Sequence, residues 1–503
     1  METGLTKQRL IAELSKSPHG ALKEYIPIGK QAVEQEGEFF AHLIAWDKKN
    51  GQIRDSKVAL PVIGLAFEHD AELLDNAYAH LALLGPRELL RAFHFAREIR
   101  PTGQMVKLRT VIGDYLHEKE QDKGWDHLAI QHRKTLRELY ARAHVRPMTK
   151  ADRVRAVLFG EDEKGNKVPL PKGSIFEVVA NLKNMAPTEA AGSIMKYRIP
   201  FLIAMGALGA KAKEPDLVLA LIGAMSATEL TTNVKMLEKL GLKTNPALRG
   251  AFDNALAKAA TSKKNTLKTT KAAEQVEDEG IREKLQGLQD KQIANLGGPS
   301  GNWLVLSDCS SSMSLAIEAS RHVAATLTKM CKGKVWLVFF NTTPMSVDVT
   351  GLPLDSITKA TRHITASGAT SIGCGLQRML DEKVEVDGIA VVSDAAENTT
   401  PFFADVYGRY SKFVDKQVPV YLYRFPDQYR GHPSTRYLDN TMKAAGFDLQ
   451  EFDLSGKVDY YSLPNLVATM RENRYSMIDE IMATPLLTLN SVLKSHGKVL
   501  ATA

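Results

Sequence analysis

Through the first 260 residues, apolar positions recur three and four apart, which is the spacing of one face of a helix. The pattern predicts helices over Phe39–Trp46, Ser56–Glu68, Ala71–Leu84, Pro86–Ile99, His132–Ala143 and Lys150–Phe159. Short connectors punctuate them at Gly85-Pro86, Pro101-Thr102-Gly103 and Arg146-Pro147, and Pro86 suits the first turn of the helix it opens. β-Branched runs are scarce here. Short helices in succession bury their apolar faces against one another, so the expected architecture is an α-solenoid, although no fixed sequence period emerges. Phe159 to Gly173 interrupts the pattern: Gly160, Gly165, Pro169, Pro171 and Gly173 surround charged residues and predict an exposed loop. The polar stretch Thr261–Thr270 follows the last strongly periodic segment, and Glu277–Asp290 predicts one more helix.

The sharpest break is Leu296-Gly297-Gly298-Pro299-Ser300-Gly301. Beyond it the pattern alternates. Apolar runs at Trp303–Ser307, Val335–Phe340, Ser346–Val349, Gly388–Ser393 and Val418–Arg424 predict strands, with helices at Leu315–Cys331, Ile372–Leu380 and Phe402–Lys416 between most of them. Strands alternating with helices imply a mostly parallel, doubly wound α/β sheet. Helical spacing returns over Leu463–His496. With 503 residues the chain exceeds a single ordinary core, and two domains are expected: residues 1–296, all-α, and residues 297–503, α/β with C-terminal helices.

Composition narrows the class. The three cysteines, Cys309, Cys331 and Cys374, have no CxxC partner, so a reducing compartment without a disulfide framework is expected. The first sixteen residues lack the apolar core of a signal peptide, and no run of about 18 apolar residues appears, so no membrane span and a cytoplasmic location are expected. The net charge of +7 is unevenly spread. Residues 1–300 hold 45 of the Lys and Arg against 37 of the Asp and Glu, and the remainder holds 20 against 21. The surplus sits wholly in the helical part, which fits a polyanionic partner or a merely solvated surface.

Asp308-Cys309-Ser310-Ser311-Ser312 directly follows the apolar run Trp303–Leu306. A hard-ligand cluster at the carboxyl end of a buried strand lies where open α/β sheets bind ligands. One carboxylate with hydroxyls at alternate positions suits a divalent cation such as Mg²⁺ rather than Zn²⁺. Alternatively, Ser312 or Ser314 caps the following helix. Two later pieces favour the metal: Thr370 lies in a turn before the Ile372 helix, and the apolar run Ile389–Val392 ends in Ser393-Asp394. A phosphatase with a strand-end Asp nucleophile needs a second carboxylate two residues on, where this chain has Ser310. HExxH, Gly-x-Ser-x-Gly and P-loop signatures are absent.

Taken in order, Asp-x-Ser-x-Ser, Thr and Asp resemble the metal-ion-dependent adhesion site of von Willebrand factor A domains, over about residues 300–460. That resemblance implies that Ser310, Ser312 and Thr370 are direct or near ligands and that Asp308 and Asp394 act largely through waters. It also implies that an acidic group of a protein partner completes the coordination.

Residues 129–155 hold Arg133, Lys134, Arg137, Arg142, Arg146, Lys150, Arg153 and Arg155 against only Glu138 and Asp152, with His132 and His144 among them. Arg and Lys bind phosphates, and Arg or His can stack on unpaired bases. A solvated helix face accounts for the same pattern, since Leu136, Leu139 and Ala143 form an inward stripe. Gly124-Trp125-Asp126-His127, Leu136-Arg137 and Ala143-His144-Val145-Arg146-Pro147 resemble the signature region of TROVE proteins, the group of the Ro autoantigen and its bacterial relatives. Ile199-Pro200-Phe201-Leu202 and Asn245-Pro246-Ala247-Leu248-Arg249 are similar to later TROVE helices. The stretch between Trp125 and His144 is longer than in animal members.

The resemblance implies a ring of HEAT-like repeats joined to a von Willebrand A domain. It also implies a non-enzymatic core of a small ribonucleoprotein that binds Y-like noncoding RNA and the single-stranded 3′ ends of misfolded RNA. His144 matches a histidine implicated in RNA binding, with Arg137, Arg142, Arg146, Arg133 and Lys134 as basic neighbours. DNA is not expected as a partner. Two other readings remain: a metal-dependent protein-binding scaffold without RNA, and a Mg²⁺-dependent RNA hydrolase using Asp308, Asp394 and the nearby Glu397. The hydrolase is disfavoured because two-metal chemistry clusters more carboxylates.

Overall fold

A computed structural model describes the chain except for residues 1, 16–21, 52, 149, 163, 260–265, 428–434, 455–462, 472–475 and 494–503. The chain forms two compact units. One comprises Ala21–Gln292 with Thr484–Ala503, and the other Met1–Gly20 with Ile293–Ala483. The switch at Ile293 lies close to the expected boundary at 296/297, but each chain end belongs to the opposite unit from the one its position suggested. Glu2–Ser15 is a helix whose Leu10, Ile11, Ala12 and Leu14 are buried in the sheet unit against Gln450–Asp453 and Leu463–Thr469. Leu489–Val492 packs on the helix Ala71–Ala82 of the helical unit. There Asn76 Oδ1 accepts from Leu487 N at 3.0 Å and Asp75 Oδ2 from Leu489 N at 2.8 Å.

The helical unit is built by neighbour-on-neighbour packing. Ile26–Asn50 packs on Ser56–Phe67, that helix on Ala71–Ala82 and Pro86–Ile99, and Pro86–Ile99 on Trp125–Ala143. Later, Pro187–Tyr197 packs on Pro215–Ala224 and the latter on Pro246–Ala259. Phe39, Phe40, Tyr78, Phe93, Tyr115 and Trp125 are fully buried along this path, each contributing about 2 kcal/mol of apolar burial. Local signals set the ends. The Asp70 carboxylate accepts from Glu72 N and Leu73 N to start one helix, and Ser226 with Glu229 forms a capping box. The helix expected over His132–Ala143 begins earlier, at Trp125, with a break at His132 (φ −125°, ψ 24°). The predicted loop after Phe159 is closed by a bridge of Glu161 with Lys167 and by Val168 N donating to Gly160 O at 3.1 Å. Part of the polar stretch Thr261–Thr270 lies outside the described residues, and Thr266–Gln275 is helical.

The sheet unit holds six strands in the order β3-β2-β1-β4-β6-β8. They are β1 (Trp303–Asp308), β2 (Val335–Phe340), β3 (Pro344–Asp348), β4 (Gly388–Ser393), β6 (Val420–Arg424) and β8 (Gln450–Asp453). A two-stranded ribbon, β5 (Ala396–Glu397) with β7 (Arg436–Tyr437), stands apart. All neighbours in the large sheet run parallel except β3, which pairs antiparallel at the edge and is partly exposed.

Strand alternation feeds two cores. Val305, Leu337, Phe339, Val392, Tyr421 and Tyr423 face the helix Ser314–Met330 and the helix Leu463–Thr469. Leu304, Leu306, Val338, Phe340, Val391 and Leu422 face the helices Ile372–Asp381, Phe403–Phe413 and Leu438–Ala444. Gly375 permits the first of these to sit tightly, since a Cβ there would lie 2.7 Å from Leu306 Cδ2. Burial on both faces explains why β1 and β4 read as unbroken apolar runs. Among the described residues, no helix is long and apolar enough to cross a membrane.

Candidate functional site

Each unit carries candidate functional residues. In the sheet unit, β1 and β4 are adjacent and parallel, with Trp303 opposite Gly388 and Ser307 opposite Val392. The chain leaves β1 toward β2 on one side, and β4 lies on the other. The carboxyl ends of β1 and β4 therefore frame the point where the strand order reverses. Asp308 and Asp394 sit at these two ends. Asp308 Oδ1 accepts from Ser310 N at 2.8 Å, and Oδ2 accepts from Ser393 Oγ at 2.6 Å. The same Ser393 hydroxyl lies 3.5 Å from Asp394 Oδ1, which also accepts from Ala396 N at 3.0 Å.

Thr370 is brought to the same edge by its loop. Ser367 N donates to Cys309 O at 2.7 Å, Ser311 Oγ to Gly368 O at 3.1 Å, and Thr370 N to Asn398 Oδ1 at 2.9 Å. The structure thus gathers Asp308, Ser310, Thr370 and Asp394, all buried, with Ser312 half-buried beside them. Neither Ser312 nor Ser314 caps the next helix. Its cap is Met313, and no side chain bonds the helix start. No hydrogen bond occupies the hydroxyl of Ser312 or Thr370 among the described residues.

Among the described residues no cation acts on Asp308, whereas Arg424 acts on Asp394. Burial pushes Asp308 up to about 6, with the nearby Asp394 adding to the rise against its hydrogen bonds from Ser310 and Ser393. Asp394 is raised as well, chiefly by burial. Glu397 plays a different part. It is fully buried and accepts from Gly373 N at 3.1 Å and from Phe403 N at 3.0 Å, so it closes the starts of two helices. It is therefore not a third carboxylate for two-metal chemistry. Sequence reasoning passed over Ser393, whose place between two strand-end acids was the available signal.

In the helical unit, the predicted cations form no single stripe. Arg133, Lys134, Arg137 and Arg142 lie on the helix Trp125–Ala143, and all four are exposed. Arg133 and Arg137 stand one turn apart, whereas Arg142 lies about 140° further round from Arg137 at 100° per residue. Arg142 pairs with Glu138 at 3.4 Å, and Arg137 lies over the Phe159 ring at 5.8 Å. His144 ends the helix in the left-handed region (φ 57°) and is exposed, as is Arg146.

Buried groups hold this turn in place. Tyr140 donates to Glu120 Oε1 at 2.7 Å, and Glu120 Oε2 accepts from Met148 N at 3.0 Å. Val145 presses onto Gly113, where a Cβ would come within 2.9 Å of Val145 Cγ2.

A second cationic group escaped the sequence reading because its members are scattered. Arg54, Arg87 and Arg91 come from the turn before, and the start of, neighbouring helices, His132 from the break in Trp125–Ala143, and Lys268 from Thr266–Gln275. Burial and the charges of Arg87 and Arg54 lower His132, and burial and Arg54 lower Lys268. Burial, Arg87 and Arg91 likewise lower Arg54. Two acids answer the five bases: Glu88 pairs with Arg54, and Asp55 pairs with Arg91 at 2.6 Å.

No family model matches the sequence. No curated protein matches it. A solved structure does share its fold. The crystal structure of the Ro (RSR) protein of Deinococcus radiodurans is similar with a TM-score of 0.61, over 92% of this chain and 99% of that one, at 13% sequence identity. The helical unit followed by the parallel sheet is therefore a Ro-type architecture, in keeping with the fold that the TROVE resemblance implied.

Proposed function

We propose that the protein is a non-enzymatic RNA-binding protein, the core of a small ribonucleoprotein, with RNA held by the helical unit and a divalent cation by the sheet unit. One observation carries this reading. Arg54, Arg87, Arg91, His132 and Lys268 are drawn together from distant parts of the chain, where burial first and mutual repulsion second lower the affinity of His132, Arg54 and Lys268 for their protons. Like charges crowded in this way are relieved by a polyanion, and phosphates are the ligand that Arg and Lys suit best. The exposed cations Arg133, Lys134, Arg137, Arg142 and Arg146 with His144 extend the basic surface. The Ro-type fold supports the finer assignment, Y-like noncoding RNA and the single-stranded ends of misfolded RNA.

The donor set at the sheet edge fits Mg²⁺. Two desolvated carboxylates and three hydroxyls are hard ligands, and a dication would offset the cost of burying both acids. Asp308, Ser310, Ser312, Thr370 and Asp394 would hold it. When bound, the ion would offer a Lewis-acidic position to an acidic group of a protein partner. Asp308 and Asp394 supply the negative charge, Ser393 fixes their spacing, and the Ser367–Thr370 loop sets the rim. Glu397 is committed to two helix starts, which favours docking over hydrolysis.

The test of RNA binding is electrostatic. In Arg87→Glu/Lys268→Glu, the affinity for single-stranded RNA is expected to fall about a hundredfold at low salt, with a flatter dependence on salt. Filter binding across a salt series measures both. Equal affinity and slope in the folded variant would overturn the reading, and metal-dependent RNA turnover lost on Asp308→Ala would replace it with a hydrolase.

A further inference from the structure

A separate cavity of about 240 Å³ opens in the helical unit, lined by Lys123, Asp126, His127, Arg153, Lys172 and Tyr197 with the turn Gly173–Ile175. Four segments build it: the turn before and first turn of Trp125–Ala143, the helix Ala151–Leu158, the turn before Ile175–Asn181, and the end of Pro187–Tyr197. Its surroundings are rigidly tied. Trp125 is buried against Phe176, with ring centroids 6.2 Å apart. The turn carrying Lys172 is closed by Ser174 Oγ donating to Pro171 O at 2.5 Å and by Gly173 N donating to Glu177 Oε2 at 2.6 Å.

The charge balance inside is uneven. Asp126 is the one carboxylate in the lining, and it is taken up by Arg153, whose Nε donates to Asp126 Oδ1 at 3.0 Å and whose second nitrogen reaches Oδ2. Lys123, His127 and Lys172 have no ion-pair partner among the described residues, and all three are exposed. The lining therefore offers two uncommitted ammonium groups and an imidazole around a space with no uncommitted acid. Tyr197 adds an aromatic wall. The volume falls below the roughly 300–1,000 Å³ of pockets for drug-sized ligands, yet exceeds what one bare oxyanion fills. A phosphate with an attached sugar or base edge matches both the size and the lining.

We infer that this pocket binds a nucleotide through its phosphate group, with Lys123, Lys172 and His127 on the phosphate and Tyr197 beside the base. The site is distinct from the cluster around Arg87, and its support is the cavity itself rather than the RNA reading. The phosphate can come from a free nucleotide or from the end of an RNA strand.

Calorimetry on the full chain with inorganic phosphate, AMP and adenosine tests the chemistry. Lys123→Ala/Lys172→Ala changes only exposed side chains, and an unchanged melting curve confirms its fold. AMP is expected to bind the unsubstituted protein at least tenfold more tightly than adenosine, and the double variant is expected to lose at least tenfold. No AMP binding at millimolar concentration, adenosine binding as tight as AMP, or equal AMP binding by the double variant would overturn the inference.

Short oligonucleotides with a 5′-phosphate or a 5′-hydroxyl identify the source. A preference for the phosphate that disappears in the double variant places an RNA end in the pocket, and AMP binding without that preference places a free nucleotide there. Because Arg87 and Lys268 are untouched, loss of the pocket with retained long-RNA affinity, or the reverse, separates this site from the proposed RNA surface.

Discussion

The two units handle charge in opposite ways, as Asp308 and Asp47 illustrate. Both carboxylates are buried, and burial pushes each up to about 6. In the helical unit, Asp47 accepts from Ser56 Oγ at 2.8 Å and feels Lys57 and Lys48, which pull it back down. In the sheet unit, Asp308 has hydroxyl and amide donors but faces a second acid, Asp394. The first acid is answered within its own fold and reads as structural. The second is answered only in part, and the proposed cation would complete it. Conversely, the surplus in the helical unit is cationic and lies toward solvent. The comparison teaches that burial alone does not set Asp308 apart from Asp47, whereas the lack of a cation beside it among the described residues does.

The largest expected effect breaks the comparison at Asp308. Mg²⁺ should raise the melting temperature of the unsubstituted protein, and Asp308→Ala should remove the rise entirely. Thermal melts with and without Mg²⁺ decide this, and a shift that survives the substitution refutes the metal assignment. Asp47→Asn should leave the Mg²⁺ effect intact.

Next comes the basic helix. Replacing Arg137, Arg142 and His144 together by Ala should weaken RNA binding about tenfold, with a salt slope lower by roughly one for each phosphate no longer bound. An unchanged slope would assign these cations to plain solvation.

The smallest effect is in pH. Asp47 and Asp308 have folded values near 6 against 3.8 for the free side chain. Their contribution is therefore fully present below about pH 4 and is lost as pH rises through about 6. In urea unfolding between pH 4 and 7, Asp47→Asn should flatten the decline relative to the unsubstituted protein. Added Mg²⁺ should flatten the share belonging to Asp308, because a cation favours its ionised form. A slope unaltered by either change would contradict the burial argument.

Much of this was legible in the sequence where a signal is local. The helix predicted over Pro86–Ile99 forms with those bounds, set by Pro86 at its first turn and by the turn of Arg100 into the left-handed region. β1 and β4 were readable because burial on both faces leaves no polar position to blur the run. The sheet-edge residues were also legible, since each stands next to a strand end or turn that sequence reveals. The group of Arg54, Arg87, Arg91, His132 and Lys268 was not. Its members come from four stretches of the chain, around Arg54, Arg87 with Arg91, His132 and Lys268, and only helix packing decides that they meet. The start of the helix at Trp125 was hidden by the non-helical break at His132, which interrupts the spacing used to detect it. The home of each chain end was hidden because a short amphipathic helix shows that it buries a face but not against which neighbour.

The crossing of the chain ends has a consequence for biosynthesis. During synthesis Glu2–Ser15 precedes its partners Gln450–Asp453 and Leu463–Thr469 by more than four hundred residues. The apolar face of Leu10, Ile11, Ala12 and Leu14 must wait through the synthesis of the segment Ala21–Gln292 of the helical unit. That unit in turn lacks the segment that bonds Asp75 and Asn76 until Leu487 and Leu489 have been made. Such non-local closure is slow and leaves apolar surface open in the interval. Each unit therefore waits on a segment far away in the chain before its packing is complete.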